Sequence, residues 1–245
     1  MIGLYKIAER IVHIHSVYPR IHASCREYQL SEEEAEQAVP EISIQTTEKE
    51  IEAEKTYCGP DEHFPDDYYE ELAVHRQLAT AMLDYDTFLF HGSCVAVDGK
   101  AYIFTAPSGT GKSTHVRLWR EYLGDRAQMV NDDKPLIRIT EEGALVYGTP
   151  YNGKHRLGSN ICVPLKAICL LARGAENHIE KTTKEEAYPV LSQQTYRPEK
   201  PEDLARTLTL LDKLTYSVNL YKLRCNMEPD AARVSYEEMH GKSDD

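Results

Sequence analysis

Apolar and polar residues alternate along some stretches of this chain and recur at helical spacing along others. Arg10–Val17 and Glu41–Gln45 alternate, the mark of half-exposed antiparallel strands. Ser31 followed by Glu32, Glu33 and Glu34 reads as a capped, acidic first helical turn. Asp66 to Leu83 spaces its apolar residues as an amphipathic helix. Three short apolar runs follow, Thr87–Phe90, Cys94–Val97 and Ala101–Phe104, and Asp98-Gly99 joins the last two as a hairpin. Ser113–Leu123 is helix-like and leaves through a tight Leu123-Gly124-Asp125 exit. Ala127–Val130 reads as a short buried strand, and Val163–Ala172 as a longer one returning to a central sheet. Beyond Gly174 the pattern predicts helices over Lys184–Gln194 and Pro201–Leu214, the second opening with Pro then Glu-Asp. A strand over Tyr216–Leu223, a last helix over Met227–Met239 and a frayed tail from His240 to Asp245 complete it. The class is α/β with a mixed sheet. A strand-rich α+β region over residues 1–66 precedes a larger domain over 67–245 that includes the C-terminal helices.

One segment carries specific chemistry. Ala106-Pro-Ser-Gly-Thr-Gly-Lys-Ser113 lies between an apolar strand and a helix, the setting of a phosphate-binding loop, or Walker A motif. Its backbone N–H groups and the helix dipole would converge on phosphate oxygens. Ser108, Gly109, Thr110, Gly111, Lys112, Ser113 and Thr114 are the nucleotide-binding candidates. Lys112 would neutralise the β- and γ-phosphates of ATP, and Ser113 would ligate Mg²⁺. Ala106 stands where the standard pattern has Gly.

Asn131-Asp132-Asp133 ends the next strand, 19 residues beyond Ser113. Acidic residues at a strand end beside a phosphate loop can organise a metal and a nucleophile. One carboxylate would hold Mg²⁺ and the other would accept a proton. His91-Gly92 precedes the hairpin that feeds the loop, so His91 could lie nearby. Gly148–Gly158 gathers Lys154, His155 and Arg156. It is either a flexible basic loop or a source of positive charge for the transferred phosphate, with Arg156 best suited by its forked guanidinium.

His91-Gly92, the Pro107–Thr114 run and Asn131-Asp132-Asp133, in this order and spacing, resemble the kinase domain of HPr kinase/phosphorylase. That family shares a nucleotide-binding core with ATP-dependent phosphoenolpyruvate carboxykinase, whose loop Ser108–Thr114 is similar to. The resemblance spans roughly Phe88 to Gly174. It implies a P-loop kinase core of this type and phosphoryl transfer from ATP with Mg²⁺. It also implies Asp132 as general base with His91 near it, and Asp133 with Ser113 on the metal. The assignment between the two aspartates stays open. Neither the bacterial regulator's substrate-recognition signature nor an oxaloacetate-binding half is visible. The implied activity is therefore transfer to a hydroxyl, on a serine of a peptide or protein or on a small metabolite. Two alternatives remain: a nucleotide-gated binding module without chemistry, in a peptide-modification pathway, and a small carboxykinase-like enzyme that would need further Arg or Lys residues.

Composition narrows the partners. Forty acidic against 28 basic residues give a net charge of −12, which opposes nonspecific binding to nucleic acid or anionic membrane. No apolar run approaches a membrane span, and the N-terminus lacks a signal peptide's apolar core. Six cysteines without C-x-x-C spacing read as reduced thiols of a cytoplasmic protein. His13 and His15 share one strand face but lack a third ligand, so they read as surface residues. A homo-oligomer remains open.

Overall fold

The alternating stretch after Arg10 becomes a strand because an equally patterned segment precedes it. β1 (Ile2–Ile7) and β2 (Arg10–His15) form an antiparallel hairpin that buries Tyr5, Ile7, Val12 and Ile14. The computed structural model describes residues 1–59 and 62–241, and the chain divides into two units, Met1–Asp84 and Tyr85–Asp245. In the first unit β3 (Ile42–Gln45) joins β2 in parallel, where alternation alone had suggested antiparallel strands. The connection explains it. α1 (Arg20–Ser24) and α2 (Glu32–Gln37) lie between β2 and β3, length enough for a crossover.

α3 (Glu48–Lys55) and α4 (Asp66–Ala81) complete this unit. α2 and α3 each start with a capping box, Ser31 with Glu34 and Thr47 with Glu50. Glu70 of α4 is fully buried and accepts hydrogen bonds from Val17 N (2.6 Å), Tyr18 N (2.7 Å) and Thr46 Oγ1 (2.6 Å). These bonds and its packing on α1, α3 and β3 give α4 to the first unit. The division thus falls after Asp84 rather than near residue 66.

The second unit holds one curled mixed sheet of nine strands among the described residues. β4 (Thr87–Leu89), β5 (Ser93–Val97) and β6 (Lys100–Thr105) come first, followed by α5 (Lys112–Leu123) and β7 (Ala127–Asn131). β8 (Leu136–Thr140) and β9 (Gly143–Tyr147) form a hairpin, and β10 (Cys162–Arg173) is the longest strand. β11 (His178–Lys181), α6 (Lys184–Gln193), α7 (Pro201–Ser217), β12 (Asn219–Cys225) and α8 (Asp230–His240) close the unit. Strand order is β4-β8-β9-β10-β6-β5-β7, with β12 beside β10 and β11 beside β12.

β10 pairs antiparallel with β9 over its first residues and then in parallel with β6 and β12. A register shift between Leu165 and Ala167 marks where it changes partners. β6 and β7 both run antiparallel to the strand between them, β5. The C-terminal ends of β6, β7, β10 and β12 therefore meet the start of β5 along one edge. That edge carries the site.

Two C-terminal expectations shift. Tyr216 and Ser217 belong to the end of α7, whose buried Leu210, Leu211 and Leu214 carry the helical period past Leu214, so β12 starts only at Asn219. His240 ends α8, and its Nδ1 lies 2.7 Å from the Tyr102 hydroxyl. Residues 242–245 of the expected tail lie outside the described residues. Among the described residues, no helix is long and apolar enough to cross a membrane.

Candidate functional site

The loop after β6 gets its shape from two left-handed residues. Gly109 has φ 77° and Gly111 φ 120°, a region that disfavours any side chain, although a Cβ at either would meet nothing within 4 Å. The demand is conformational, and the space over the loop is open. Ala106 needs no such freedom: its φ is not positive, and its methyl group joins the core. That accounts for alanine where the pattern has glycine. Thr110 ties the loop down, both its N–H (3.3 Å) and Oγ1 (2.8 Å) donating to Pro107 O. Arg173 Nη2, from the end of β10, donates to Gly109 O (2.6 Å).

α5 starts at Lys112 with Gly111 as its N-cap and no side-chain cap. Its first-turn N–H groups and the positive end of its dipole face the open space. The helix is fixed from behind. Trp119 is fully buried against Tyr102 and Phe104 and donates to Ser235 Oγ of α8 (2.8 Å). His115 Nε2 lies 3.0 Å from the same hydroxyl, and burial pushes its imidazole pKa down to about 4. Lys112 is only 9 % exposed and donates from Nζ to Ala106 O (2.9 Å). Burial lowers its pKa, while the negative charge of Asp133 pulls it up.

Asn131 builds the acidic turn. Its fully buried Oδ1 accepts from Asp133 N (2.9 Å) and Lys134 N (2.6 Å). Its Nδ2 reaches Thr149 Oγ1 (3.1 Å) and Asn152 Oδ1 (3.3 Å) on the returning segment. Asp132 is 8 % exposed, and its Oδ1 accepts from Gly153 N (2.6 Å). Ser93 Oγ donates to Asp132 O (2.9 Å). The chain from Gly148 to Ile161 runs close beside β7: a Cβ on Gly148 would sit 1.8 Å from Ser159 O and 2.7 Å from Val130 O.

His91 pairs with Asp133 rather than Asp132, its Nε2 3.3 Å from Asp133 Oδ1. Its Nδ1 lies 2.7 Å from Gln194 Oε1, an amide oxygen that accepts from the ring. The ring is thus held from both sides, by Gln194 at Nδ1 and Asp133 at Nε2. Burial raises the Asp133 carboxyl, but the His91 hydrogen bond and the charges of Lys134, His91 and Lys112 outweigh it and hold it below its ordinary value.

Two clefts flank the loop. One, of about 250 Å³, is lined by Ser93, Ser113 and Asp132, with Arg117, Arg120 and His155 also reaching it. The other, of about 450 Å³, runs from Gly109 and Thr110 past Leu118 to Arg173, Asn226 and Met227. Of the candidates from the 148–158 segment, His155 lines the first cleft; Arg156 is exposed at φ 49° and lines neither. Arg117 and Arg120 escaped the sequence reading, although they stand four and seven residues after Ser113 on one helix face. Gln194, from a distant segment, left no local signal, and Gly153 lies within the Gly148–Gly158 segment but had no role of its own in the sequence. No group of three or more His, Cys, Asp or Glu able to hold a metal occurs among the described residues.

No protein-family model matches this sequence, and no curated protein matches it. Among the solved structures that match is the Hpr(Ser) kinase/phosphatase from Coxiella burnetii. It is 10 % identical, with a TM-score of 0.33, over 62 % of this chain and 99 % of that one. At that TM-score the functional reading stands on the residue geometry alone.

Proposed function

We propose that the second unit is a Mg²⁺- and ATP-dependent kinase that transfers the γ-phosphoryl group to a hydroxyl acceptor. One observation carries the reading: Lys112, the uncapped start of α5 and the Asp132-Asp133 turn converge on a single sheet edge. The N–H groups from Gly109 to Thr114 would take the phosphate oxygens, and Lys112 would swing from Ala106 O to the β- and γ-phosphates.

The donor set suits Mg²⁺. That ion is commonly held by one or two carboxylates plus substrate phosphates, and rarely by a ready-made protein cage. Ser113 and Asp133 supply hard oxygen atoms, and Asp133 stays ionised through its cationic neighbours. Bound there, Mg²⁺ would neutralise charge on the β- and γ-oxygens.

Asp132 suits the base. Gly153 N–H fixes Oδ1, which leaves Oδ2 for the proton, and the carboxylate lines the cleft together with Ser113. The acceptor oxygen would bond to the γ-phosphorus as the bond to the β,γ-bridging oxygen breaks. Its proton passes to Asp132, and ADP leaves with the electron pair. His91, held by Gln194, orients Asp133. Among the described residues no carboxylate lines the cleft beyond Gly109, which would take the base and ribose.

Thermal stability with and without MgATP tests this directly. At a hundredfold over Kd, wild type should gain about 2.7 kcal/mol and Lys112→Ala nothing. No gain in wild type would overturn the nucleotide site. ADP release that requires an added hydroxyl acceptor then separates a kinase from a binding module.

A further inference from the structure

The cleft on the Asp132 side carries more positive charge than its place beside the phosphates explains. Arg117 and Arg120 both reach it from α5, and His155 reaches it from the opposite segment. Arg117 is already engaged: its Nη1 lies 2.6 Å from Glu121 on the exposed side of the helix. Arg120 differs. It is partly buried, and among the described residues its guanidinium makes no hydrogen bond or ion pair. A guanidinium that lines a cleft with its donors uncommitted can take a carboxylate or phosphate as a two-pronged ligand.

The nucleotide phosphates are a poor fit for that partner. Arg120 stands seven residues beyond Ser113, roughly 10 Å along the helix at about 1.5 Å per residue. Val116, Met129 and Leu157 contribute the apolar part of the cleft's lining. A cleft of about 250 Å³ has room for a small molecule or a single residue of a larger one. Its lining brings together a carboxylate, hydrocarbon and a forked cation.

We infer that this cleft is the acceptor subsite and that it selects a hydroxy acid. The hydroxyl faces Asp132, a short apolar stem lies over Val116, Met129 and Leu157, and a carboxylate or phosphate docks on Arg120. His155 closes the rim. The inference rests on the kinase reading for the word acceptor; the acid site itself rests on Arg120 and the shape of the cleft. It also distinguishes this end from the rest of an acidic chain, whose net charge of −12 would otherwise repel such a molecule.

The test is calorimetric binding of three probes that share a hydroxylated stem, to protein held in MgADP: glycerol, glycerate and glycerol 3-phosphate. Wild type should bind at least one of the two anions about tenfold or more tightly than glycerol. Which anion wins separates a carboxylate from a phosphate partner. Arg120→Gln should erase the preference, Arg120→Lys should keep part of it, and Arg117→Gln should leave it nearly unchanged. Equal binding of all three probes, no binding of any, or an anion preference that survives Arg120→Gln overturns the subsite. MgATP stabilisation measured alongside keeps the two failures apart. Nucleotide binding without anion preference sinks the subsite alone, and Arg120-dependent anion binding without a MgATP effect sinks the kinase reading while the acid site stands.

Discussion

The two clefts that share the start of α5 differ in one respect above all: only the smaller is lined by a carboxylate among the described residues. The smaller holds Asp132, two arginines and a histidine. The larger holds glycines, Thr110, Leu118, Leu171, Asn226 and Met227, with Arg173 at its edge tied to Gly109 O. A polyphosphate brings several negative charges, so a carboxylate near the loop needs a task of its own: Asp132 to take a proton, Asp133 to hold the metal. A purine and ribose ask for flat apolar contact and neutral hydrogen-bonding edges, which the larger cleft offers. One helix end can thus serve two ligands because the strands beside it end in different residues: β7 in an acidic turn, β10 and β12 in Arg173-Gly174 and Cys225-Asn226.

Four changes sharpen or break that contrast. Asp132→Asn should lower phosphoryl transfer about 10²- to 10⁴-fold and leave the Kd for MgATP within about twofold. An equal loss of both in steady-state and binding assays would mean that the division of labour between the clefts is wrong. Met227→Asp would put a carboxylate into the larger cleft, where it should weaken MgATP about tenfold by repulsion and leave acid-probe binding alone. Unchanged nucleotide affinity in a titration would move the base elsewhere.

Lys112→Met has an effect of opposite sign on two properties. It should abolish the MgATP shift yet raise the nucleotide-free melting temperature by ~2–4 °C, because a buried charge whose one hydrogen-bond partner among the described residues is a carbonyl opposes folding. A lower melting temperature would mean that the lysine supports the loop.

The smallest effect concerns acid. The Asp133 carboxyl is more acidic in the fold than in the unfolded chain, so its stabilisation is complete above about pH 4 and fades as pH falls through the folded value. The stability gap between wild type and Asp133→Asn should therefore narrow from pH 5 to pH 2.5 in thermal scans. A gap that stays constant would leave the His91 and Lys112 contacts without consequence for that carboxyl.

What could be read in advance was what neighbouring residues decide between themselves. Asp98-Gly99 turns the β5–β6 hairpin with φ values of 50° and 74°, and the loop's glycines and the first turn of α5 lie within eight residues. The allegiance of α4 was not legible, because Glu70 finds its partners at residues 17, 18 and 46. The β8–β9 hairpin turns at Glu141-Glu142 and not at an Asn-Gly or Asp-Gly pair, so its turn carries little local signal. Which aspartate meets His91 depends on how Asn131 folds the turn under itself and on Gln194 gripping the ring from over a hundred residues away. Arg117 and Arg120 showed their helical spacing, but a cleft exists only once β7 and the segment around Leu157 stand opposite them. Local turn chemistry travels in the sequence; a site assembled from four strand ends does not.

The tight passage at Gly148 bears on how this protein can change over generations. An added methyl there would drive into two peptide carbonyls that have nowhere to go. A library of random variants scored for activity should therefore rank position 148 beside Lys112 as intolerant, for unrelated reasons. Variants at 112 should accumulate as folded, silent protein, while those at 148 should be degraded before they can be tested. In a lineage of such chains, the residue that never changes would mark room for the backbone as often as it marks the chemistry.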